Sequence, residues 1–357
     1  IYIPENETEE ADFVAEMIKT IRMNEKRSYA DFGVLIRANT LSRAPEEAFL
    51  EANIPYIMSG GTSFFQRKEI KDVISYLRVI ANPDDDINLL RIINTPRRGI
   101  GRKSIEEISA VANSQKCSLW NAMNAIVAAD DLAVSDRTKI DLEHFIEFVV
   151  NHRTIMLSGK DLANKVKKMV DEIDYWSYLV QEYQKNEKAA RWKFLNIDSL
   201  ITSMATWEKD PDNHRKSLYD YLNRITLISR DDMEDDEDKG KVNLMTIHAS
   251  KGLEFPVVFI IGAEDGIIPH ARSMEEGDGN VEEERRLFYV AITRARDKLF
   301  ISSCHRRRKM GGVVECTPSP FLQEIPASLV EYHEPTEPVE TENALDILAK
   351  MKAKFTI

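Results

Sequence analysis

The chain has 357 residues, 43% of them apolar and 30% charged, enough for two or three compact units and a sizeable core in a soluble globular protein. Its longest apolar run, residues 256–263, is far too short to span a bilayer, and the opening Ile-Tyr-Ile-Pro has no secretory pattern, so the expected location is the cytoplasm without membrane contact. The net charge of −12 taken alone argues against a nucleic-acid partner, but binding follows clustered cations, and these occur at Arg97, Arg98, Arg102 and Lys103 and again at Arg306, Arg307, Arg308 and Lys309.

Residues 9–24 carry Phe13, Met17, Ile18 and Ile21 at helical spacing, and Phe32-Gly-Val-Leu-Ile36 follows as a strand-length apolar run. Residues 42–52 read as a helix and 54–57 as a strand before Gly60-Gly61, so this stretch reads as a parallel βαβ unit. From Asn88 to about Arg230 helical periodicity continues with few strand-like runs, which predicts an all-helical block. It closes on an acidic run, residues 231–238, read as a solvated linker. Strand patterns resume at residues 242–247 and 257–261, a helix is expected over 282–296 and a further strand over 298–302. After about Ile325 the chain is rich in Pro, Glu and Thr, with a short amphipathic helix expected near residues 343–354. The expected division is therefore 1–87 and 239–326 for one α/β sheet domain, 88–238 for a helical subdomain inserted into it, and 327–357 for a tail. The three cysteines, Cys117, Cys304 and Cys316, are widely spaced, which fits a reducing compartment and offers no zinc site. The missing initiator Met suggests a piece of something longer.

Two segments carry chemistry. In Val242-Asn-Leu-Met-Thr-Ile-His-Ala-Ser-Lys-Gly-Leu-Glu-Phe-Pro256 a strand ends near Thr246 and His248. The turn Ala249-Ser-Lys-Gly252 can bring backbone N–H groups to an anion, and Glu254 follows within reach of a hydroxyl such as a ribose. In open α/β sheets ligands sit at the carboxyl ends of strands, where these residues are expected. In Glu282-Glu-Glu-Arg-Arg-Leu-Phe-Tyr-Val-Ala-Ile-Thr-Arg-Ala-Arg296 an arginine held by a packed helix suits bidentate contact with a phosphate. Read singly, a polar surface turn and a salt-bridged surface helix account for the same residues.

Together the two segments resemble the fifth and sixth signature motifs of superfamily 1 helicases of the UvrD/Rep/PcrA family, in order and at matching separation. Val34-Leu-Ile-Arg-Ala-Asn-Thr-Leu-Ser-Arg43 resembles the fourth motif, and Gly60-Gly-Thr-Ser-Phe-Phe-Gln-Arg-Lys-Glu-Ile-Lys-Asp72 the segment that follows it. The resemblance reaches to about Pro326 and looks nearest to the Rep branch. It implies a RecA-like parallel-sheet motor domain interrupted by a large helical subdomain. It also implies an ATP-dependent, 3′-to-5′ translocating DNA helicase, acting on single strands and single/double-strand junctions in replication or repair. By the same resemblance Arg37 and Arg294 reach the γ-phosphate, Glu254 bonds the ribose, and Gly252 lies in the nucleotide turn. Thr246, His248 and Lys251 sit near the strand track or relay its occupancy to the nucleotide. Thr95-Pro-Arg-Arg-Gly-Ile-Gly-Arg-Lys103 looks like the family's GIG turn, whose Arg97, Arg98, Gly99, Gly101, Arg102 and Lys103 meet duplex backbone. Ile36 stands where the family commonly has an adenine-stacking Tyr, as an aliphatic cover, and Met310 where relatives often place a base-stacking aromatic. The inserted subdomain is implied to rotate as a rigid body, with the acidic run as a hinge.

No GxxxxGK[ST] loop occurs, nor an Asp-Glu pair ending a strand to hold Mg²⁺. ATP and Mg²⁺ are therefore expected to be held mainly by an N-terminal motor half, the chain's main partner, and the chain alone is expected to be inactive. The alternative is a non-catalytic DNA- or partner-binding module with vestigial motor residues, against which the intact Arg37, Glu254 and Arg294 argue. A helicase–nuclease related to RecB fits poorly, because no carboxylate and Lys cluster follows the second segment.

Overall fold

A computed structural model of the chain describes residues 1–129, 135–210, 216–230, 240–275, 278–309 and 312–333. The acidic run at 231–238, Met310 and the helix expected over 343–354 lie outside the described residues. Helix α1 (Glu7–Glu25) starts at Asn6, whose Oδ1 accepts from the Thr8 and Glu9 amides, and leads into β1 (Phe32–Ile36). Next come α2 (Arg43–Glu51) and β2 (Tyr56–Ser59). This strand begins two residues later than the apolar pattern suggests, because the Ile54 amide closes the end of α2 on the Phe49 carbonyl at 2.7 Å.

Among the described residues, nine helices then intervene before the sheet resumes: α3 (Lys68–Ala81), α4 (Asp86–Ile92), α5 (Arg102–Gln115), α6 (Leu119–Ala128), α7 (Asp136–Leu157), α8 (Leu162–Glu172), α9 (Tyr175–Glu182), α10 (Glu187–Lys209) and α11 (Leu218–Arg230). The chain re-enters the sheet with β3 (Val242–Thr246) and β4 (Phe255–Ile261). It continues through α12 (Ala271–Glu275), α13 (Asp278–Ile292) and β5 (Ala295–Ile301), and ends with the hairpin β6 (Arg306–Lys309) and β7 (Gly312–Glu315).

The five longer-range strands form one parallel sheet in the order β2-β3-β1-β4-β5. The strand–helix–strand unit β1-α2-β2 is parallel as expected, but its strands are not neighbours, because β3 slots between them after the insertion. Every residue of β1 is buried, as a central parallel strand covered on both faces requires. Phe32, Val34 and Ile36 face a core shared with α1 and α2. Leu35 faces the opposite core with Ile260, Phe288 and Ala291, beneath α13.

The helical insertion has its own core, which includes Ile70, Tyr76 and Leu77 of α3. By packing, α3 sides with the insertion although it precedes Asn88, where the sequence character changes; an amphipathic helix following a strand fits either unit until its apolar face finds a neighbour. A parallel sheet and an inserted helical subdomain are thus both present, as the sequence predicts. None of the three cysteines is in a disulfide, and among the described residues no helix is long and apolar enough to cross a membrane.

Candidate functional site

The loop from β3 to β4 is short and tightly determined. Thr246 ends β3, and its Oγ1 accepts from the Ala249 amide at 3.3 Å, which winds the chain into a turn with Ile247 and Ser250 buried. The Ser250 hydroxyl donates to the Ile247 carbonyl at 2.7 Å. His248, Lys251, Gly252, Leu253 and Glu254 remain exposed, and the His248 and Lys251 side chains have no hydrogen-bond partner among the described residues. Thr246 lies level with Ile36, which lies level with Ile261, so this end of the loop is at the carboxyl edge of the sheet. Phe255 instead pairs with Ala295 at the amino edge. The expectation that the whole segment lies at carboxyl ends is therefore corrected: Thr246 does, whereas Glu254 stands at the opposite edge. The reason is geometric, since a parallel neighbour-but-one can be reached only by returning along the length of the strands.

Arg294 meets the far end of that loop. Its Nη1 donates to the Leu253 carbonyl at 2.7 Å, Nε to the Val290 carbonyl at 2.9 Å and Nη2 to Thr293 Oγ1 at 3.0 Å. The helix expected to carry Arg294 ends at Ile292; Arg294 sits in the turn after it, because its own carbonyl accepts from the Phe255 amide and Ala295 already pairs with β4. Glu254 is next to this arginine in the chain's fold and is ion-paired with Arg296, Nε to Oε2 at 3.1 Å. Arg294, Leu253, Glu254 and Arg296 thus form one exposed-to-half-exposed group of alternating charge.

Arg37 follows β1 at the carboxyl edge and is clamped by Glu284 of α13. Nε lies 3.0 Å from Oε2 and Nη2 2.6 Å from Oε1, a bidentate pair that leaves Nη1 without a bond among the described residues. Glu284 is buried and also accepts from the His270 amide at 3.2 Å and the Ser273 hydroxyl at 3.3 Å. Burial alone would raise its carboxyl pKa, but the hydrogen bonds and charge of Arg37 outweigh burial and hold it below the usual range. Nothing in the sequence distinguishes Glu284 from Glu282 and Glu283 beside it. The structure does not bring Arg37 and Arg294 together: roughly 12 Å of helix, at about 1.5 Å per residue, separates Glu284 from the end of α13. Ile36 is wholly buried between sheet, α1 and α2, so the aliphatic cover for a base expected from it is corrected; its side chain fills the core.

The turn after β2 joins the same edge. A Cβ on Gly60 would come within 2.5 Å of Ala249 Cβ and 2.7 Å of Thr246 Oγ1, so only glycine lets these two segments close on each other. Beyond it, Arg67 donates through Nη2 to the Asn39 carbonyl at 2.8 Å and through Nη1 to Asn196 Oδ1 at 2.9 Å, tying the carboxyl edge to α10 of the insertion.

In the insertion, residues 95–103 turn between α4 and α5 with Ile100 driven into the helical core. Gly99 has φ of 83°, and a Cβ there would meet Asp141 Oδ2 at 2.4 Å. Gly101 opens α5 without a side-chain cap, leaving first-turn amides free to meet an anion. Arg102 and Lys103 project beside these amides, 94% and 91% exposed, and Arg97 is 81% exposed with Glu182 at 3.8 Å. Arg98 is a correction. Its guanidinium turns inward to the Ile92 and Pro96 carbonyls and the Tyr76 hydroxyl, and lies over the Tyr76 and Phe145 rings, so it braces the turn. Helical periodicity could not separate it from Arg97, because the turn reverses the chain between them.

Arg307, in the second basic cluster, is also buried. Its Nη2 lies 2.7 Å from Glu10 Oε2 and 2.6 Å from Glu264 Oε1, with Cys304 Sγ at 3.1 Å. Glu10, Glu264 and Cys304 are close enough to ligate a metal, but Arg307 occupies the point between them. The group instead stitches α1, the end of β4 and β6 together. Arg306 and Arg308 point the other way, into a cleft of about 700 Å³ between α1, α2 and α10.

Comparison with known proteins matches residues 1–306 to the UvrD-like helicase C-terminal domain. The chain is 38% identical over 329 residues to a Staphylococcus aureus protein named ATP-dependent DNA helicase PcrA, covering 92% of this chain and 44% of that protein. It is 37% identical over 332 residues to a protein of the same name from Staphylococcus epidermidis, with the same coverage. The chain thus spans about 44% of the length of the curated relatives it matches.

Proposed function

Because the chain belongs to the family of UvrD-like helicase C-terminal domains, we propose that it is the C-terminal portion of an ATP-dependent DNA helicase that moves 3′ to 5′ along a single strand and opens the duplex ahead. The observation that carries this reading is the seating of Arg294 on the Leu253 carbonyl beside Glu254. A guanidinium and a carboxylate stand together at an open surface, each held by neutral or exposed partners that a nucleotide can replace. Their chemistry fits ATP: the guanidinium suits the γ-phosphate, and the carboxylate suits a ribose hydroxyl. The fit to Mg²⁺ is different, since among the described residues the one carboxylate–thiol cluster with ligand spacing is filled by Arg307. Mg²⁺ and the β-phosphate belong, in this reading, to an N-terminal motor half with which the chain completes the site. When bound, Mg·ATP supplies the phosphoryl group whose departing charge Arg294 stabilises.

Thr246, His248 and Lys251 at the carboxyl edge then touch the single strand, so that loop 247–254 has its two ends on two ligands. Closure of the nucleotide side on Arg294 and Glu254 pulls on the strand side through a loop too short to absorb the movement. Arg97, Arg102, Lys103 and the free amides of α5 neutralise duplex phosphates. The test is ATP hydrolysis by the full-length protein and its Arg294→Ala variant, with and without single-stranded DNA. An arginine finger supplies about 10³–10⁵-fold in rate, so DNA-stimulated turnover should collapse while DNA binding persists. Unchanged turnover would overturn the assignment in favour of a non-catalytic DNA-binding module. The chain alone should show no intrinsic turnover.

A further inference from the structure

We propose that the N-terminal half of α10 is a contact for single-stranded DNA, with Trp192 stacking on a base and Lys188 and Arg191 meeting phosphates. This deepens the DNA reading above and rests on it.

Trp192 is 49% exposed although it sits on a helix whose opposite side is packed into the insertion core through Ala190, Ile197, Leu200 and Met204. Lys188 and Arg191 precede it by four and one positions and are also exposed, so Lys188 lies directly along the helix face from the indole and Arg191 flanks it. Neither cation has an ion pair or hydrogen bond among the described residues. Elsewhere on the insertion the exposed cations Arg97, Arg102 and Lys103 face Glu182, Glu106 and Glu107. In a chain of net charge −12, two exposed cations that no carboxylate bonds among the described residues, although Glu187 lies one turn before Arg191, stand beside a half-exposed indole and complement a polyanion that carries planar rings.

Placement supports the same occupant. Asn196 lies one turn further along the Trp192 face, and its side chain bonds Arg67 at 2.9 Å and Glu69 at 2.7 Å. Arg67 in turn reaches the Asn39 carbonyl, at the carboxyl edge of the sheet where Thr246 lies. Trp192 is thus on the helix face that carries Asn196, which Arg67 ties to the carboxyl edge of the sheet.

The test titrates the 357-residue chain with oligo(dT) and follows intrinsic tryptophan fluorescence and affinity. Stacking on Trp192 should quench emission; Trp192→Phe should keep affinity within about three-fold and remove most of the quench, whereas Trp192→Ala should weaken binding about five-fold or more. Lys188→Ala with Arg191→Ala should lower the slope of log affinity against log salt by about 1.4. Trp176→Phe, an exposed indole that packs edge-on against Phe194 at 5.4 Å, should change neither affinity nor salt slope. Oligo(dT) binding that is unaffected by Trp192→Ala overturns the proposal and leaves the DNA reading intact. If the chain binds neither oligo(dT) nor duplex, the DNA reading fails and the proposal with it.

Discussion

Replacing Glu284 by Gln removes one charge from a buried clamp and leaves its shape, so the consequence can be worked from the geometry. Glu284 receives two guanidinium hydrogen bonds from Arg37, at 2.6 and 3.0 Å, and its side chain is 7% exposed. Charge-assisted bonds of this kind contribute about 1.5–3 kcal/mol. The lower half applies here, because the Arg37 side chain is 18% exposed and can recover water, and because Gln retains one acceptor. A double-mutant cycle of Glu284→Gln and Arg37→Met, read from urea unfolding at pH 7, should therefore give a coupling of about 1.5–2 kcal/mol. Its pH dependence follows from the sign of the shift. The folded Glu284 pKa lies below the ordinary value, so the stabilisation is present above the unfolded pKa of about 4.3 and is lost as pH falls through the folded value. The coupling should persist at pH 5.5 and shrink below about pH 4. A coupling under about 0.5 kcal/mol at pH 7 would refute the clamp.

Three further expectations follow from the same geometry. Arg307→Met leaves the Glu10 and Glu264 carboxylates facing each other in the core without their cation, which should cost about 3–5 kcal/mol in urea unfolding, with partial recovery when Glu264→Gln is added. Asp12 is exposed to the cleft between α1, α2 and α10, where partial desolvation and the nearby charges of Glu51, Glu16 and Glu9, against Arg224, push its pKa up to about 6. Folding therefore takes up a proton between the unfolded value near 4 and pH 6, so Asp12→Asn should stabilise above pH 6 and not below about pH 4.5, by under about 1 kcal/mol given its solvent access; a thermal melt at the two pH values checks this. Arg98→Ala should lower the melting temperature by several degrees through lost packing on Tyr76 and Phe145, whereas Arg102→Ala with Lys103→Ala should leave it unchanged and reduce the salt slope of duplex binding by about 2.

How far the sequence could be read depended on whether a property is local. The strands β1 and β4 are continuous apolar runs, and α1 has clear periodicity, so each declared itself without its neighbours. Strand order is not local: nothing in residues 54–59 tells that β3, nearly two hundred positions later, will part β2 from β1. Among the residues singled out, Thr246, His248 and Lys251 lie together on one short turn, and their closeness follows from the turn itself. The inward fates of Arg98 and Arg307 were illegible, since a buried arginine is defined by acceptors brought from elsewhere, Tyr76 for one and Glu10 with Glu264 for the other. Glu284 is undistinguished in the sequence for the same reason, since Arg37 comes to it from β1.

The different partners of Arg294 and Arg37 imply different behaviour when a phosphate arrives at each. Arg294 spends its donors on two backbone carbonyls and a hydroxyl, all neutral, so exchanging them for a phosphate gains charge–charge attraction and leaves no ion stranded. Arg37 is bound to a buried carboxylate, and leaving it would strand Glu284, which costs several kcal/mol. Its free Nη1, however, can reach a phosphate while Nε and Nη2 stay on Glu284. The expected sequence is therefore that Arg294 moves and Arg37 does not, with Glu284 fixing the direction in which Arg37 points. On this argument Arg37→Lys damages the site more than its retained charge suggests, because an ammonium cannot serve the carboxylate bidentately and face a phosphate at the same time.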